Sequence, residues 1–158
     1  MRQVAAVAVL ALGVAVQAGA ASRLPVDGVA SGTDAFVVHP VHAGLASLVG
    51  SFEVTGFEPK GPGNPFVGLH GSCFGAMDLG QNRMSGGGYC TFTDARGEGL
   101  VLRWTALAPV ARGYRSSWEL VGGSGWWGDV SGKGTLVYLL DPETRRFNAG
   151  ITGQVAKP

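Results

Sequence analysis

The chain has 158 residues, 15% of them charged, with 12 Lys+Arg against 11 Asp+Glu and a formal net charge of +1. A chain of that length holds one domain plus processing segments. Balanced charge with no basic stripe excludes nucleic acid and anionic membrane as main partners.

Met1-Arg2-Gln3 is a short basic start, Val4 to Val16 is apolar, and Ala18-Gly19-Ala20 supplies a small-x-small site. This is the pattern of a secretory signal peptide, with its helix over residues 1–20 and cleavage after Ala20. The apolar run is short and Ala-rich against a span of about 20 residues, and Gln17 interrupts it. The expectation is therefore an exported protein, periplasmic or extracellular, with no membrane in the mature form. Cleavage removes Arg2 and no acid, which brings the mature side-chain charge to zero with His neutral.

Residues 21–47 are weakly patterned, with Val26, Val29, Phe36, Val37 and Val38 scattered among Gly, Ser, Thr and Asp. They are expected to form a weakly structured N-terminal arm before a β-domain over 48–158. His39-Pro40-Val41-His42 is the one histidine cluster, and His70 or Asp34 would have to complete a metal site. Pro40 biases His39 towards extended backbone, and no second ligand group stands at metal-site spacing, so neither a metal nor a cofactor is expected.

From Leu48 onward the pattern is that of strands. Phe52 and Val54 share one face, with Ser51, Glu53 and Thr55 on the other. Glu58 to Phe66 is a loop, with three prolines and two glycines that deny it a ladder. Gly71–Leu79 and Gly87–Asp94 predict a hairpin, and the midpoint between Cys73 and Cys90, at Gln81-Asn82, falls inside its loop Gly80–Gly88. That symmetry sets Cys73 opposite Cys90, and an exported chain oxidises such a pair to a disulfide. Asp94 to Gly99 is a turn. Strands follow over Leu100–Leu107, Tyr114–Val121, Gly134–Leu140 and Arg145–Val155. Seven or eight short strands at regular spacing read as a sandwich or a barrel. Glu119, opposite in facing to Trp118, reads as an exterior charge paired with Arg103 or Arg115.

Between the last strands lies the glycine-richest stretch, Val121-Gly-Gly-Ser-Gly-Trp-Trp-Gly-Asp-Val-Ser-Gly-Lys-Gly-Thr135, with six glycines and half of the four tryptophans. Gly123 to Gly128 matches G-x-G-x-x-G, but no helix begins there, so the dinucleotide reading fails. Gly132-Lys133 lacks the Gly at 127 and the Ser or Thr at 134 of a phosphate-binding loop. A sharply bent path without a helix is expected instead. Trp126 and Trp127 are adjacent and face opposite ways, so one plugs the core and the other lies at a rim.

Trp118 to Thr135 resembles the glycine signature of allene oxide cyclase-like barrels: a strand, Gly-Gly-Ser/Thr-Gly, an aromatic, then Gly-x-x-x-Gly into the next strand. Dirigent proteins carry a similar turn, and small exported bacterial proteins with this signature look most similar. The resemblance covers residues 114–153 and, in strand pattern, extends back to residue 48. It implies an all-β, antiparallel, closed barrel of about eight strands. The cyclase's polar groups come from early segments that do not match here, so no catalytic residue is carried over.

The sequence contains no G-x-S-x-G elbow and no placed carboxylate pair. The resulting reading is an exported, non-catalytic barrel serving small apolar ligand binding or an envelope interaction. The alternative is a cyclase or isomerase acting on a lipid-like substrate. Trp104, Trp118, Trp126 and Trp127 are the ligand-binding candidates. The expected inward set (Phe52, Phe74, Phe92, Trp104, Trp118, Tyr138 and Phe147) is bulky, which predicts a filled or nearly filled interior.

Overall fold

Apolar side chains recur at every second position through most of the chain, and each such run is a strand in the computed structural model, which describes residues 22–80 and 83–158. The expected signal peptide and the hairpin tip Gln81-Asn82 lie outside those residues. In chain order the strands are β1 (Ser22–Asp34), β2 (Val37–His42), β3 (Leu45–Pro59), β4 (His70–Gly80), β5 (Met84–Thr93), β6 (Gly99–Val110), β7 (Gly113–Gly123), β8 (Ser131–Asp141) and β9 (Arg146–Lys157). Every pairing is antiparallel, and β3 to β9 run as successive neighbours. β1 pairs with β9 over Ser22–Thr33 and with β3 over Gly28–Asp34, which closes eight strands into a barrel. β2 continues past β1 along the first half of β3, so that β2 and β3 project beyond the closure as a flap.

The weak arm expected over residues 21–47 is thus corrected: it supplies the closing strand, the flap strand and the start of β3. Its alternation is faint because its inward positions are mostly small, namely Val26, Gly28, Ala30 and Gly32 before Asp34. A Cβ at Gly28 would strike the Phe57 ring, and one at Gly32 the Phe147 ring and the Glu53 backbone. The arm contributes room, while its neighbours contribute the bulk.

Cys73 and Cys90 face each other across β4 and β5 and form a disulfide that lines the interior. Closing a loop of 17 residues stabilises by about 3 kcal/mol on the chain-entropy model. Because the cysteines point inward, Phe74 must point outward. It is 55% exposed and rests on Tyr89, which corrects its expected inward placement. On the same outer face Arg103 pairs with Glu119 across β6 and β7, a contact worth about 0–1 kcal/mol.

Most of the other inward aromatics pack in two groups. Phe66 touches Trp118 and Trp127 with ring centroids 5.5 and 6.0 Å apart, and Phe52 meets Trp104, Tyr138 and Phe147 at 6.5, 5.6 and 5.3 Å. Two glycines make room for the Trp118 indole, one of them the last glycine of the glycine stretch. A Cβ at Gly134, or at Gly153 beside it on β9, would overlap the Trp118 indole. The interior is nearly filled, with an apolar cavity of about 50 Å³ among Phe52, Cys73, Cys90, Leu102, Trp104 and Ser116.

Candidate functional site

The two ends of the barrel are built differently. At one end the connections are long: ten residues between β3 and β4, five between β5 and β6, and seven between β7 and β8. The first and third send apolar side chains inward, and the second contributes the buried Asp94. Phe66 and Leu69 enter from the first, held by Asn64, whose Oδ1 accepts from the Phe66 N–H at 2.9 Å while its amide donates to the Asp27 carbonyl at 2.8 Å. Trp127 and Val130 enter from the third, where Gly125–Asp129 forms a 3-10 turn in place of the expected helix-free bend. Gly125 starts it with φ +55°, a left-handed conformation open to glycine at no steric penalty.

Trp127 is completely buried, and its Nε1–H donates to Asp94 Oδ2 at 3.1 Å. Asp94 also accepts from the Arg96 guanidinium at 2.7 and 3.0 Å and from the backbone N–H groups of Arg96 and Glu98. Burial alone would push the Asp94 carboxyl upward. The hydrogen bonds from Arg96, Glu98 and Trp127 outweigh it and bring the pKa from 3.8 down to about 2. Trp126 lies half-buried at the rim, edge-on to Trp127, with Lys157 and Arg96 over its ring at 5.2 and 5.7 Å.

At the opposite end the connections are short. Two residues join β6 to β7 and four join β8 to β9. Neither can reach over the barrel, and the flap rises to one side, leaving a pocket of about 430 Å³. Its walls are Phe36 and Leu48 from the flap, Met77 and Met84 from β4 and β5, and Leu140 from β8. Its floor is Tyr114 and Tyr138, stacked with centroids 4.7 Å apart. Burial first, then the hydrogen bond to Asp34, pushes the Tyr138 phenol well above its ordinary range; burial and the nearby Asp34 carboxylate do the same to Tyr114. Both hydroxyls stay neutral.

Asp34 is the polar centre of this mouth. Its carboxylate accepts from Tyr138 Oη at 2.7 Å and from the Phe36 N–H at 3.2 Å, and it pairs with Arg145 at 2.6 Å. The Arg145 guanidinium also donates to the Phe36 carbonyl at 2.7 Å and clamps the break between β1 and β2. Among the described residues Arg145 is the one non-glycine with positive φ, at 56°. A residue held left-handed is over-determined by its surroundings, and here those are Asp34 and Phe36. Arg112 adds a second guanidinium to the pocket's edge.

The four candidate tryptophans do not form one site. Trp104 and Trp118 face the interior cavity, Trp126 and Trp127 belong to the sealed end, and none lines the mouth. The mouth residues Tyr114, Tyr138, Arg112 and Arg145 carried no signal beyond strand and turn, and Asp34 stood out only as a metal helper. Asp34 pairs with Arg145 instead, and the histidines do not meet it: His39 and His42 stand exposed on β2, while His70 begins β4 at the sealed end. Among the described residues no three His, Cys, Asp or Glu side chains gather as a metal site.

No protein-family model and no curated protein matches the sequence. Among solved structures, a pterocarpan synthase dirigent protein aligns with a TM-score of 0.54 at 12% identity, over 87% of this chain and 91% of that one. The barrel is dirigent-like. Likeness at that identity concerns the fold alone: it supports the closed barrel, bears on no sequence signature and transfers no residue roles.

Proposed function

We propose that this protein is a non-catalytic binding barrel that takes a small, largely apolar molecule through the mouth. One observation carries the reading. The 430 Å³ pocket joins Phe36, Leu48, Met77, Met84 and Leu140 to a single polar cluster, Asp34–Tyr138–Arg145. Apolar walls with a few convergent polar groups are the general form of small-molecule sites, and pairs of methionines adapt to irregular ligands. The dirigent-like fold is compatible with a binding or structural role. The synthase activity in the neighbour's name belongs to that protein. An exported protein is supported by the internal disulfide, because oxidising compartments preserve such bonds.

The test is native mass spectrometry of the protein from its natural compartment, followed by NMR titration with a panel of medium-chain alcohols, ketones and fatty acids. Shifts concentrated at Phe36, Met77, Met84 and Leu140, lost in Met77→Trp, support the reading. No co-purified molecule and no shift at those residues across the panel removes it. A panel member chemically converted by the protein replaces it with the cyclase or isomerase alternative.

A further inference from the structure

Sulfur is unevenly distributed in this chain of three methionines and two cysteines. Met1 precedes the described residues, and Cys73 and Cys90 are joined as a disulfide. The remaining two, Met77 and Met84, both line the mouth pocket. With no free cysteine in the barrel, these two thioethers are its most readily oxidised sulfurs.

They stand side by side at different depths. Met77 on β4 is opposite Gly86 on β5, and Met84 lies two residues before that glycine, opposite Leu79. Met84 is an even number of residues from the inward Cys90, so it belongs to the inner face, as Met77 does. The two are therefore diagonal neighbours, and Gly86 adds no side chain beside them. Met77 is 2% exposed, whereas Met84 is half-buried where β5 begins. An oxidant that enters the mouth from solvent meets Met84 first.

We propose that Met84 is an oxidation site that closes the mouth to apolar ligands. A hydroperoxide transfers its terminal oxygen to the Met84 sulfur. A sulfur lone pair forms the S–O bond, the O–O bond breaks, and the departing oxygen takes up the proton and leaves as water or an alcohol. The thioether is oxidised to a sulfoxide by two electrons and the hydroperoxide is reduced by two. The sulfoxide oxygen is a strong acceptor, and the cross-strand neighbours Leu79 and Met77 carry no donor for it. It stays hydrated, and an apolar body can fill the mouth only by stripping that water away. The loss of binding rests on the reading of the mouth as a ligand site; the oxidation itself needs only the exposure of Met84. An apolar molecule already in the mouth covers Met84 and slows its oxidation.

The test treats the mature, disulfide-intact protein with hydrogen peroxide and follows oxygen gain by peptide mass spectrometry. N-phenyl-1-naphthylamine, a neutral fluorophore, reports on the mouth; if it does not bind, a member of the wider panel that does takes its place. Met84 is expected to gain one oxygen while Met77 is still a thioether. The probe then binds about tenfold more weakly, and methionine sulfoxide reductases A and B restore its affinity. Saturating probe slows the oxidation of Met84, and the near-UV circular dichroism is unchanged throughout, which separates closure from unfolding. Met84→Leu, whatever its starting affinity, no longer responds to peroxide, whereas Met77→Leu still does; the wild-type readouts stand without the variants should either fail to fold. Five results overturn the oxidation site and leave the binding barrel intact: Met77 oxidised ahead of Met84, an affinity unmoved by full conversion of Met84, an oxidation rate indifferent to bound probe, a response that survives Met84→Leu, or loss of the near-UV signal. Binding of neither the probe nor any panel member before oxidation overturns both.

Discussion

The sealed end and the mouth each centre on a buried aspartate that accepts from an aromatic side chain and pairs with an arginine: Asp94 with Trp127 and Arg96, Asp34 with Tyr138 and Arg145. The polar device is the same and the outcomes differ, because of what the neighbouring chain can reach. Around Asp94 the long connections carry Phe66, Leu69, Trp127 and Val130 into the barrel, and the carboxylate pins the plug. Around Asp34 the turns are too short to fold over, so the carboxylate braces a rim. A buried aspartate by itself therefore does not mark a site. Its meaning depends on whether apolar bulk from the loops fills the space beside it.

The contrast is sharpest if each end is broken in turn. Trp127→Ala removes the plug and leaves Asp94 short of a donor, and is expected to destabilise by about 3–5 kcal/mol in chemical denaturation. Asp34→Ala unpairs Tyr138 and the half-exposed Arg145, with an expected loss of about 2–3 kcal/mol. Beyond their sizes, the two losses differ in kind. NMR shift changes from Trp127→Ala should concentrate at Phe66 and Trp118, and those from Asp34→Ala at Phe36 and Tyr114. Overlapping shift patterns would show that the ends are coupled and undo the comparison.

Acid provides a gentler probe. The folded pKa of Asp94, about 2, lies below its ordinary 3.8, so the stability it contributes is fully present above about pH 4 and is lost as pH falls through about 2. Asp94→Asn should therefore be less stable than wild type at neutral pH, with the two denaturation curves converging as pH approaches about 2. Parallel curves would mean that Asp94 does not lock the sealed end. The smallest effect is expected on the outer wall, away from both ends: Glu119→Ala should change stability by less than about 1 kcal/mol, the ordinary worth of an exposed pair.

Much of the wall was legible in the chain. Phe52 and Val54, Leu100, Leu102 and Trp104, and Phe147 and Ala149 stand at alternate positions, and all of them are buried. The facing of Cys73 and Cys90 followed from the symmetry of their hairpin. β1 was not legible, because its inward residues are small to accommodate partners distant in sequence. Phe74 was misplaced because Phe74 and Cys73 compete for the inward parity, and the disulfide takes it. Of the site, Tyr114 and Tyr138 were visible as strand residues, but nothing local sets Asp34 beside Tyr138, 104 residues away.

The glycine stretch draws the same line. Its composition determined that the path between β7 and β8 is tight and that adjacent tryptophans part to a core and a rim, because those properties depend on backbone freedom and alternation over a few residues. The sequence likewise determined an all-β chain with balanced charge and a paired disulfide hairpin. Tertiary structure alone decided that Gly134 makes room for Trp118, that long loops seal one end while short turns leave the other open, and that Asp34 meets Tyr138 and Arg145 at the mouth. Those outcomes depend on the register of closure between β1 and β9 and between β1 and β3, which joins the two ends of the chain and has no local signal in either.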